Sequence, residues 1–308
     1  MKRRYVTADV FTDQMFGGNP LAVVLDAEGL STKDMQAIAL EFNYSETTFV
    51  LPPDNPAHTA KVRIFTPRTE VPFAGHPNVG TAFVLARESP WAAAAAASAA
   101  GIFEFEERAG LVPLTLLREH GTTVGAELRA PEPLSRRSVV PREVAAACLS
   151  LDPTDVATQV HAPQIISVGL PFLAVELASR DALRRSKPNV AAHAALLPLD
   201  GADAIFAYWR TPDRPGASDE AVLHARTFSP LDGIVEDPAT GSACAATIAL
   251  LATLESHPTA ELAWRIHQGV DMGRPSLLLG RTAVHEGAVT ATHIGGRCVA
   301  VLEGTLTL

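Results

Sequence analysis

The chain has 308 residues and a mass of 32.6 kDa, and 47% of its residues are hydrophobic, which excludes an intrinsically disordered protein. The formal net charge is −9, and the absence of a basic stripe argues against a nucleic-acid-binding protein. Three widely spaced cysteines argue against a disulfide framework. No apolar run reaches the roughly 18 residues of a membrane span, and the N-terminus shows no signal-peptide core, so we expect a cytoplasmic protein with no membrane partner and about two domains.

The first half of the chain shows short strands and one clear helix start. Residues 19–25 form an apolar, β-branched run that predicts a buried strand, and the alternation at 47–51 and 61–65 predicts two more. Ser31 begins a helix because Asp34 completes a capping box with it and apolar residues follow at helical spacing.

Two further helices are predicted to be buried on all sides. Residues 77–86 and 243–254 carry no charge, and a helix that is apolar all round is buried all round. Each is too short to cross a bilayer, so strands of its own lobe are the expected cover. The pattern therefore favours an α+β fold of two lobes, each a sheet around one central helix, with helices in an ordinary α/β layer as the alternative. We expect the low-complexity, alanine-rich run at 91–100 to be a helical extension on the solvent side, without a part in the chemistry.

Segments of the first half recur in the second half in the same order. The matched pairs are 18–25 with 169–177, 63–67 with 226–230, and 75–86 with 241–252. Ordered recurrence across half a chain indicates a duplicated unit. Because prolines cluster between 130 and 141, we predict an N-terminal lobe at 1–130, with the C-terminal strand 297–308 as a candidate addition, and a C-terminal lobe at 131–296.

The starts of the two buried helices are candidate anion sites. A helix N-terminus carries unpaired N–H donors and about half a positive charge, which suits a carboxylate. Gly75 and Gly241 stand at corresponding positions before the two helices. The alternative is that each glycine only permits a tight turn.

Three titratable side chains lie near predicted element boundaries. His76 stands at the first helix start, where the helix dipole should keep its imidazole neutral. Glu46, next to Ser45, lies where a helix gives way to a strand, and an exposed surface glutamate is the ordinary interpretation. Asp237 precedes the second helix, where it or Thr240 would be the N-cap, a role that is compatible with substrate binding.

Other signals of chemistry are absent from the sequence. There is no nucleotide-binding glycine motif, no nucleophile elbow and no zinc-ligand spacing, so neither a cofactor nor a metal is expected. Cys244 lies inside the second buried helix and is predicted to be a packing group rather than a nucleophile.

Five motifs resemble the phenazine-biosynthesis isomerase family (PhzF-like proteins), within the diaminopimelate epimerase-like fold. They are the segments 16–23, 45–50, 63–67, 72–77 and 236–243. The resemblance covers essentially the whole chain. It implies two pseudo-symmetric lobes, each a curved, mostly antiparallel sheet around one central helix, with the active site between them. It also implies cofactor-independent isomerisation and a homodimer.

The same resemblance assigns roles to residues. The family's acid/base glutamate matches Glu46, its catalytic histidine His76 and its catalytic aspartate Asp237. Substrate contacts would fall on Ser45, Gly75, Gly241 and Ser242. We therefore predict an isomerase that moves a proton and a double bond within a small carboxylate-bearing substrate, with Glu46 as the proton shuttle.

Two alternatives remain at this point. One is an epimerase that uses Glu46 with a second base. Related racemases carry a cysteine at each central-helix start, but Cys244 is displaced by two residues from that place. The other alternative is a ligand-binding protein that has kept the cleft and lost turnover.

Overall fold

The structure is a computed structural model, and it describes residues 2–88, 101–212, 221–255 and 259–308. The chain forms two compact units, one of Met1–Arg129 with Gly295–Leu308 and the other of Ala130–Ile294. The alanine-rich run at 91–100 lies outside the described residues. Within those ranges, no helix is both long enough and apolar enough to cross a membrane.

The first unit is rich in strands. Its strands are β1 (Lys2–Val10), β2 (Asn19–Val24), β3 (Glu46–Leu51), β4 (Ala60–Phe65), β5 (Glu70–Val71), β6 (Ile102–Glu107), β7 (Gly110–Glu119), β8 (Thr122–Arg129) and the final part of β17 (Ala288–Thr307). The described helices are α1 (Thr32–Phe42) and α2 (Gly75–Glu88). Strands β2, β3 and β4 confirm the three strands predicted from the sequence, and the Ser31 capping box of α1 is present.

Eight strands of the first unit close into a barrel. Following the pairings from β1, the order is β1, β2, β3, β4, β6, β7, β8, β17 and back to β1. The β2–β3 and β4–β6 pairs are parallel, whereas β1–β2, β3–β4, β6–β7, β7–β8 and β1–β17 are antiparallel. Closure leaves none of these eight strands with a free edge.

Helix α2 is the core of this unit. Every residue from Gly75 to Leu85 is buried, and the helix packs against β1, β2, β3, β7 and β8. Gly80 permits this close approach, since a Cβ there would lie 2.6 Å from a methyl group of Leu21. The prediction that strands of the same lobe cover the apolar helix is confirmed.

The second unit has a mixed sheet of its own. Its strands are β9 (Ser135–Val139), β10 (Gln164–Ser167), β11 (Pro171–Glu176), β12 (Ile205–Arg210), β13 (Ala221–Ser229), β14 (Ile234–Asp237), β15 (Thr259–Gln268), β16 (Ser276–His285) and the start of β17. Its described helices are α3 (Arg142–Cys148), α4 (Arg180–Arg185), α5 (Val190–Leu196) and α6 (Gly241–Leu254). Short 3₁₀ turns occur at Pro153–Asp155 and Pro230–Asp232.

Helix α6 is buried in the second unit as α2 is in the first. Strands β10, β11, β15 and β16 pack against it. On β11, Leu173 and Val175 contribute to a separate apolar cluster with α3 and α4, so this strand is buried on both faces.

The two units repeat one pairing order. In each, successive pairs run antiparallel, parallel, antiparallel, antiparallel, from β1 to β5 and from β10 to β14. Arg63 makes a two-pronged ion pair with Glu70, and Arg226 makes one with Glu236. Each guanidinium also lies over the phenylalanine two residues further along, 5.1 and 4.9 Å from the ring centroid. The two units therefore share this order of strand pairings and this arrangement of arginine, glutamate and phenylalanine.

The closure of the barrel makes Gly125 a sensitive position. It lies on β8, and a Cβ there would approach the backbone oxygen of Gly296 to 2.0 Å. Because a backbone atom of a paired strand cannot easily move aside, Gly125→Ala should lower the free energy of unfolding by about 1–3 kcal/mol. Urea denaturation would measure this change. Thr122→Ala, at an exposed position of the same strand, is the control and should change it by less than about 0.5 kcal/mol. Equal stability of the two variants would contradict this closure.

Candidate active site

Glu46 is the first residue of β3, and the preceding turn fixes its position. Helix α1 ends at Phe42, and the C-cap residue Asn43 redirects the chain because its backbone is left-handed (φ 53°). The hydroxyl of Ser45 then donates a hydrogen bond to Oδ1 of Asn19 at 2.9 Å, and Glu46 pairs with Leu21 on the parallel strand β2. Only 18% of the Glu46 side chain is exposed, so it is not the exposed surface glutamate of the ordinary interpretation.

His76 is the second residue of α2 and faces Glu46. Its Nε2 lies 3.5 Å from Oε2 of Glu46, and the residue is only 5% exposed. Burial lowers the pKa of the imidazole to about 3. The direction agrees with the neutral histidine predicted from the sequence, but its cause is burial rather than the helix dipole.

The pair has the properties of a proton-transfer site. A neutral imidazole can give or accept one hydrogen bond, and a carboxyl group can take up and return a proton. Both groups are largely removed from water, which strengthens their interaction with any bound polar group. Nothing in this pair requires a metal, and no group of three metal-ligating side chains occurs among the residues that the structure describes.

Asp237 ends β14 in the second unit, and a polar network holds it. The hydroxyl of Thr240 donates to Oδ2 of Asp237 at 2.5 Å, and Oγ1 of Thr227 lies 2.8 Å from that hydroxyl. The side chain of Gln268 donates to the backbone oxygen of Asp237 at 2.9 Å and accepts from the backbone N–H of Thr240 at 3.0 Å. The orientation of the carboxylate is thereby fixed before any substrate binds.

The network also bears on the start of α6. Thr240 occupies the N-cap position, one of the two residues that the sequence offered for it, but its side chain forms no capping hydrogen bond there. Its hydroxyl donates to Asp237 instead. The neighbouring carboxylate, Glu236, is engaged in the ion pair with Arg226 and has a structural role.

Cys244 is a packing group, as predicted. It is buried within α6, and its thiol donates to Oε1 of Gln268 at 3.6 Å. Burial, and secondly the negative charge of Asp237, raises the pKa of the thiol well above its usual value. A thiol in this state is a poor base and a poor nucleophile.

The structure brings together Glu46 and His76. Ser45 and Gly75 directly precede these two residues in the chain. Gly241 and Ser242 open α6 in the second unit, the former buried and the latter half-buried. Sequence reasoning missed the groups that support the candidate residues, namely Asn19, Thr227 and Gln268. No motif marks Gln268, which is recognisable only once β15 is placed beside β13.

Comparison with known proteins identifies the family. Residues 8–304 match the model of the phenazine biosynthesis-like protein family, PhzC-PhzF, and the chain therefore belongs to this family. The chain is 41% identical over 309 residues to an uncharacterized isomerase of Mesorhizobium japonicum, which covers 99% of this chain and 98% of the relative. It is 36% identical over 308 residues to trans-2,3-dihydro-3-hydroxyanthranilate isomerase of Pseudomonas aeruginosa, with 98% of each covered.

A solved structure supports the fold. The crystal structure of a phenazine biosynthesis protein of the PhzF family from Bacillus anthracis matches over the whole of both chains, with a TM-score of 0.82 and 24% identity. The family and the named relatives make this protein an enzyme of the isomerase class.

The buried histidine predicts a specific pH dependence of stability. Below its unfolded pKa of about 6.5, His76 takes up a proton in the unfolded chain, whereas the folded protein resists protonation down to about pH 3. The free energy of unfolding should therefore decrease as the pH is lowered through this window, and between pH 7 and 4.5 this one group should contribute about 2–3 kcal/mol to the loss. Urea unfolding of His76→Gln at pH 7 and 4.5 should show a correspondingly smaller loss than the unsubstituted protein. The exposed control His285→Gln should behave like the unsubstituted protein, and an equal loss in His76→Gln would contradict a neutral His76.

Proposed function

We propose that this protein is a cofactor-independent isomerase that moves a proton, and with it a double bond, within a small carboxylate-bearing substrate. The observation that carries the proposal is the buried pair of Glu46 and His76 at the start of α2, with 3.5 Å between Nε2 and Oε2. A carboxyl group in this setting can remove a proton from one carbon and return it to another, and side chains alone complete the cycle.

Glu46 is the proposed proton shuttle. Such a group works best when its pKa lies near the operating pH, so the carboxyl pKa has to rise from about 4.3 towards neutrality. The largely buried position of Glu46 beside His76 limits its contact with water, which suits a group that transfers protons to and from a bound substrate. His76, neutral because it is buried, would orient and polarise the substrate through Nε2.

Asp237 is proposed to serve the same reaction by orienting the substrate. Thr240 holds the carboxylate of Asp237 and Gln268 holds its backbone oxygen. Because the side chain is already ordered, less conformational entropy is lost when the substrate binds. Backbone and hydroxyl groups of Ser45, Gly75, Gly241 and Ser242 are the proposed contacts to the substrate carboxylate, because the starts of α2 and α6 offer N–H donors.

The relative from P. aeruginosa suggests the first compound to test. Its name identifies an isomerase that acts on trans-2,3-dihydro-3-hydroxyanthranilate, a carboxylate, and 36% identity over almost the whole of both chains makes that compound a reasonable probe.

We further propose that the two units are pseudo-symmetric copies. We also propose that the protein is a homodimer, and sedimentation equilibrium would test this by measuring the mass of the assembly.

Glu46→Gln is the decisive substitution for the mechanism. It keeps the size of the side chain but cannot carry a proton, so turnover of trans-2,3-dihydro-3-hydroxyanthranilate should fall by about 10²–10⁴-fold with little change in binding. Asp237→Asn should weaken binding and turnover together. Stopped-flow turnover and calorimetric binding would separate the two effects, with the exposed Glu41→Gln as the control.

Two results would count against this assignment. Near-normal turnover by Glu46→Gln would place the proton transfer on another group. Binding of the probe without turnover by the unsubstituted protein would instead favour a ligand-binding protein or an isomerase of a different carboxylate, and a panel of related cyclic carboxylates would then distinguish the two.

Cys244→Ala tests the thiol-based epimerase. Because the Cys244 thiol is buried and its pKa is raised, we expect turnover within about threefold of normal and a loss of stability of about 1 kcal/mol. A hundredfold loss of turnover in a folded Cys244→Ala protein would favour thiol chemistry instead.

A further inference from the structure

The loop at residues 11–18, which joins β1 to β2, exposes two large apolar residues to water. Phe16 is 69% exposed and Met15 is 55% exposed. The loop begins directly after Val10, which pairs with Asn19 at the last position that the two strands share. A single exposed apolar residue is common on protein surfaces, so exposure alone assigns no role to the Phe16 ring.

The backbone at Phe16 is held in an unfavourable conformation. Its φ of 69° lies in the left-handed region, which a bulky aromatic residue rarely adopts. The N–H of Phe16 donates to Oδ2 of Asp9 at 2.6 Å, and Asp9 is only 4% exposed. Because a hydrogen bond to a carboxylate is stronger than one between neutral groups, it can maintain this conformation. The protein thus fixes the position of a ring that it does not bury, which is typical of a ligand contact.

The rest of the loop is ordered as well. The N–H of Thr12 donates to the backbone oxygen of Arg297, on β17, at 3.0 Å. Gly18 is also left-handed, and a Cβ there would collide with the backbone oxygen of Val10. The loop therefore packs closely onto the end of β1 and presents Phe16 in one place.

This loop lies at the end of the barrel that carries Glu46 and His76. Strands β2 and β3 are parallel neighbours, so the segments that precede them lie at the same edge of the sheet. The side chain of Asn19 accepts a hydrogen bond from the hydroxyl of Ser45 at 2.9 Å, which joins the two segments directly. Phe16 lies three positions before Asn19, a span of at most about 11 Å. The Phe16 side chain is therefore close to a small molecule bound at Glu46.

We propose that Phe16 is a specificity-determining residue whose ring packs against an apolar face of the substrate bound at Glu46. The inference rests on the proposed function for its relevance to turnover, whereas the contact with a bound carboxylate requires no turnover. It favours a carboxylate attached to a flat, unsaturated ring, because one aromatic ring packs well against another. An acyclic carboxylate would leave the Phe16 ring in water and would gain nothing from it.

Benzoate and propionate, two carboxylates of which only the first has a ring, test this contact. In calorimetric titration of the full-length protein, Phe16→Ala should weaken the binding of benzoate by about tenfold and that of propionate by less than about twofold. Phe16→Leu, which keeps an apolar side chain, should recover part of the affinity for benzoate. The control is Ile102→Ala, an apolar residue that is 47% exposed at the opposite end of the barrel, and it should leave both affinities unchanged.

Four outcomes would overturn the inference. The first is equal affinity of Phe16→Ala and Ile102→Ala for benzoate, and the second is a failure of the unsubstituted protein to bind benzoate. The third is a loss in Phe16→Ala that is equal for benzoate and propionate, which would give the loop a structural role. The fourth is a smaller mass of Phe16→Ala in sedimentation equilibrium with unchanged benzoate binding, which would assign the ring to a contact between copies of the chain.

The same measurements separate this inference from the proposed function. Benzoate binding that depends on Phe16, together with no turnover of any cyclic carboxylate, would refute the isomerase and support the contact. Turnover that depends on Glu46, together with benzoate binding that is insensitive to Phe16→Ala, would support the isomerase and refute the contact.

Discussion

The structure of the candidate site depends on the complete burial of an apolar helix. Strands of the first unit surround α2 from Gly75 to Leu85, so the first turn of that helix is also withdrawn from water. A histidine in that turn is forced to be neutral, and a glutamate beside it is largely desolvated. The same burial that stabilises the barrel thus withdraws from water the two groups that are proposed to transfer the proton.

In the second unit, hydrogen bonds fix the position of a carboxylate, that of Asp237. Asp237 is held by hydrogen bonds from Thr240 and Gln268 rather than by burial among apolar groups. The two arginine–glutamate pairs show where the two units are alike, because Arg63 and Arg226 each bind a carboxylate on the next strand. The helix starts are where they differ, with a histidine in one unit and a serine in the other. This difference fits a division between proton transfer and substrate orientation.

Much of this arrangement could be predicted from the sequence, and the reasons are local. The charge-free stretches of α2 and α6 indicate burial without any knowledge of the neighbouring strands, and the Ser31 capping box fixes the start of α1. Glu46 and His76 could be named from their motifs, but their 3.5 Å approach depends on the parallel pairing of β2 and β3. Gln268 could not be found, since it acts on Asp237, 31 residues away in the chain, through a contact that no local pattern encodes. Thr240 stands at the N-cap of α6 without a capping hydrogen bond, because its hydroxyl donates to Asp237, three residues earlier in the chain.

The central claim, that Glu46 carries the proton, is tested most directly by solvent isotope incorporation. The unsubstituted protein and Glu46→Gln would each be incubated with the substrate in heavy water, and the product analysed by NMR and mass spectrometry. Because Glu46 keeps 18% of its side-chain surface exposed, its proton can exchange with solvent between turnovers. The account predicts deuterium at the carbon that gains a proton in the product of the unsubstituted protein, and none above background with Glu46→Gln. Equal incorporation by the two proteins would contradict it.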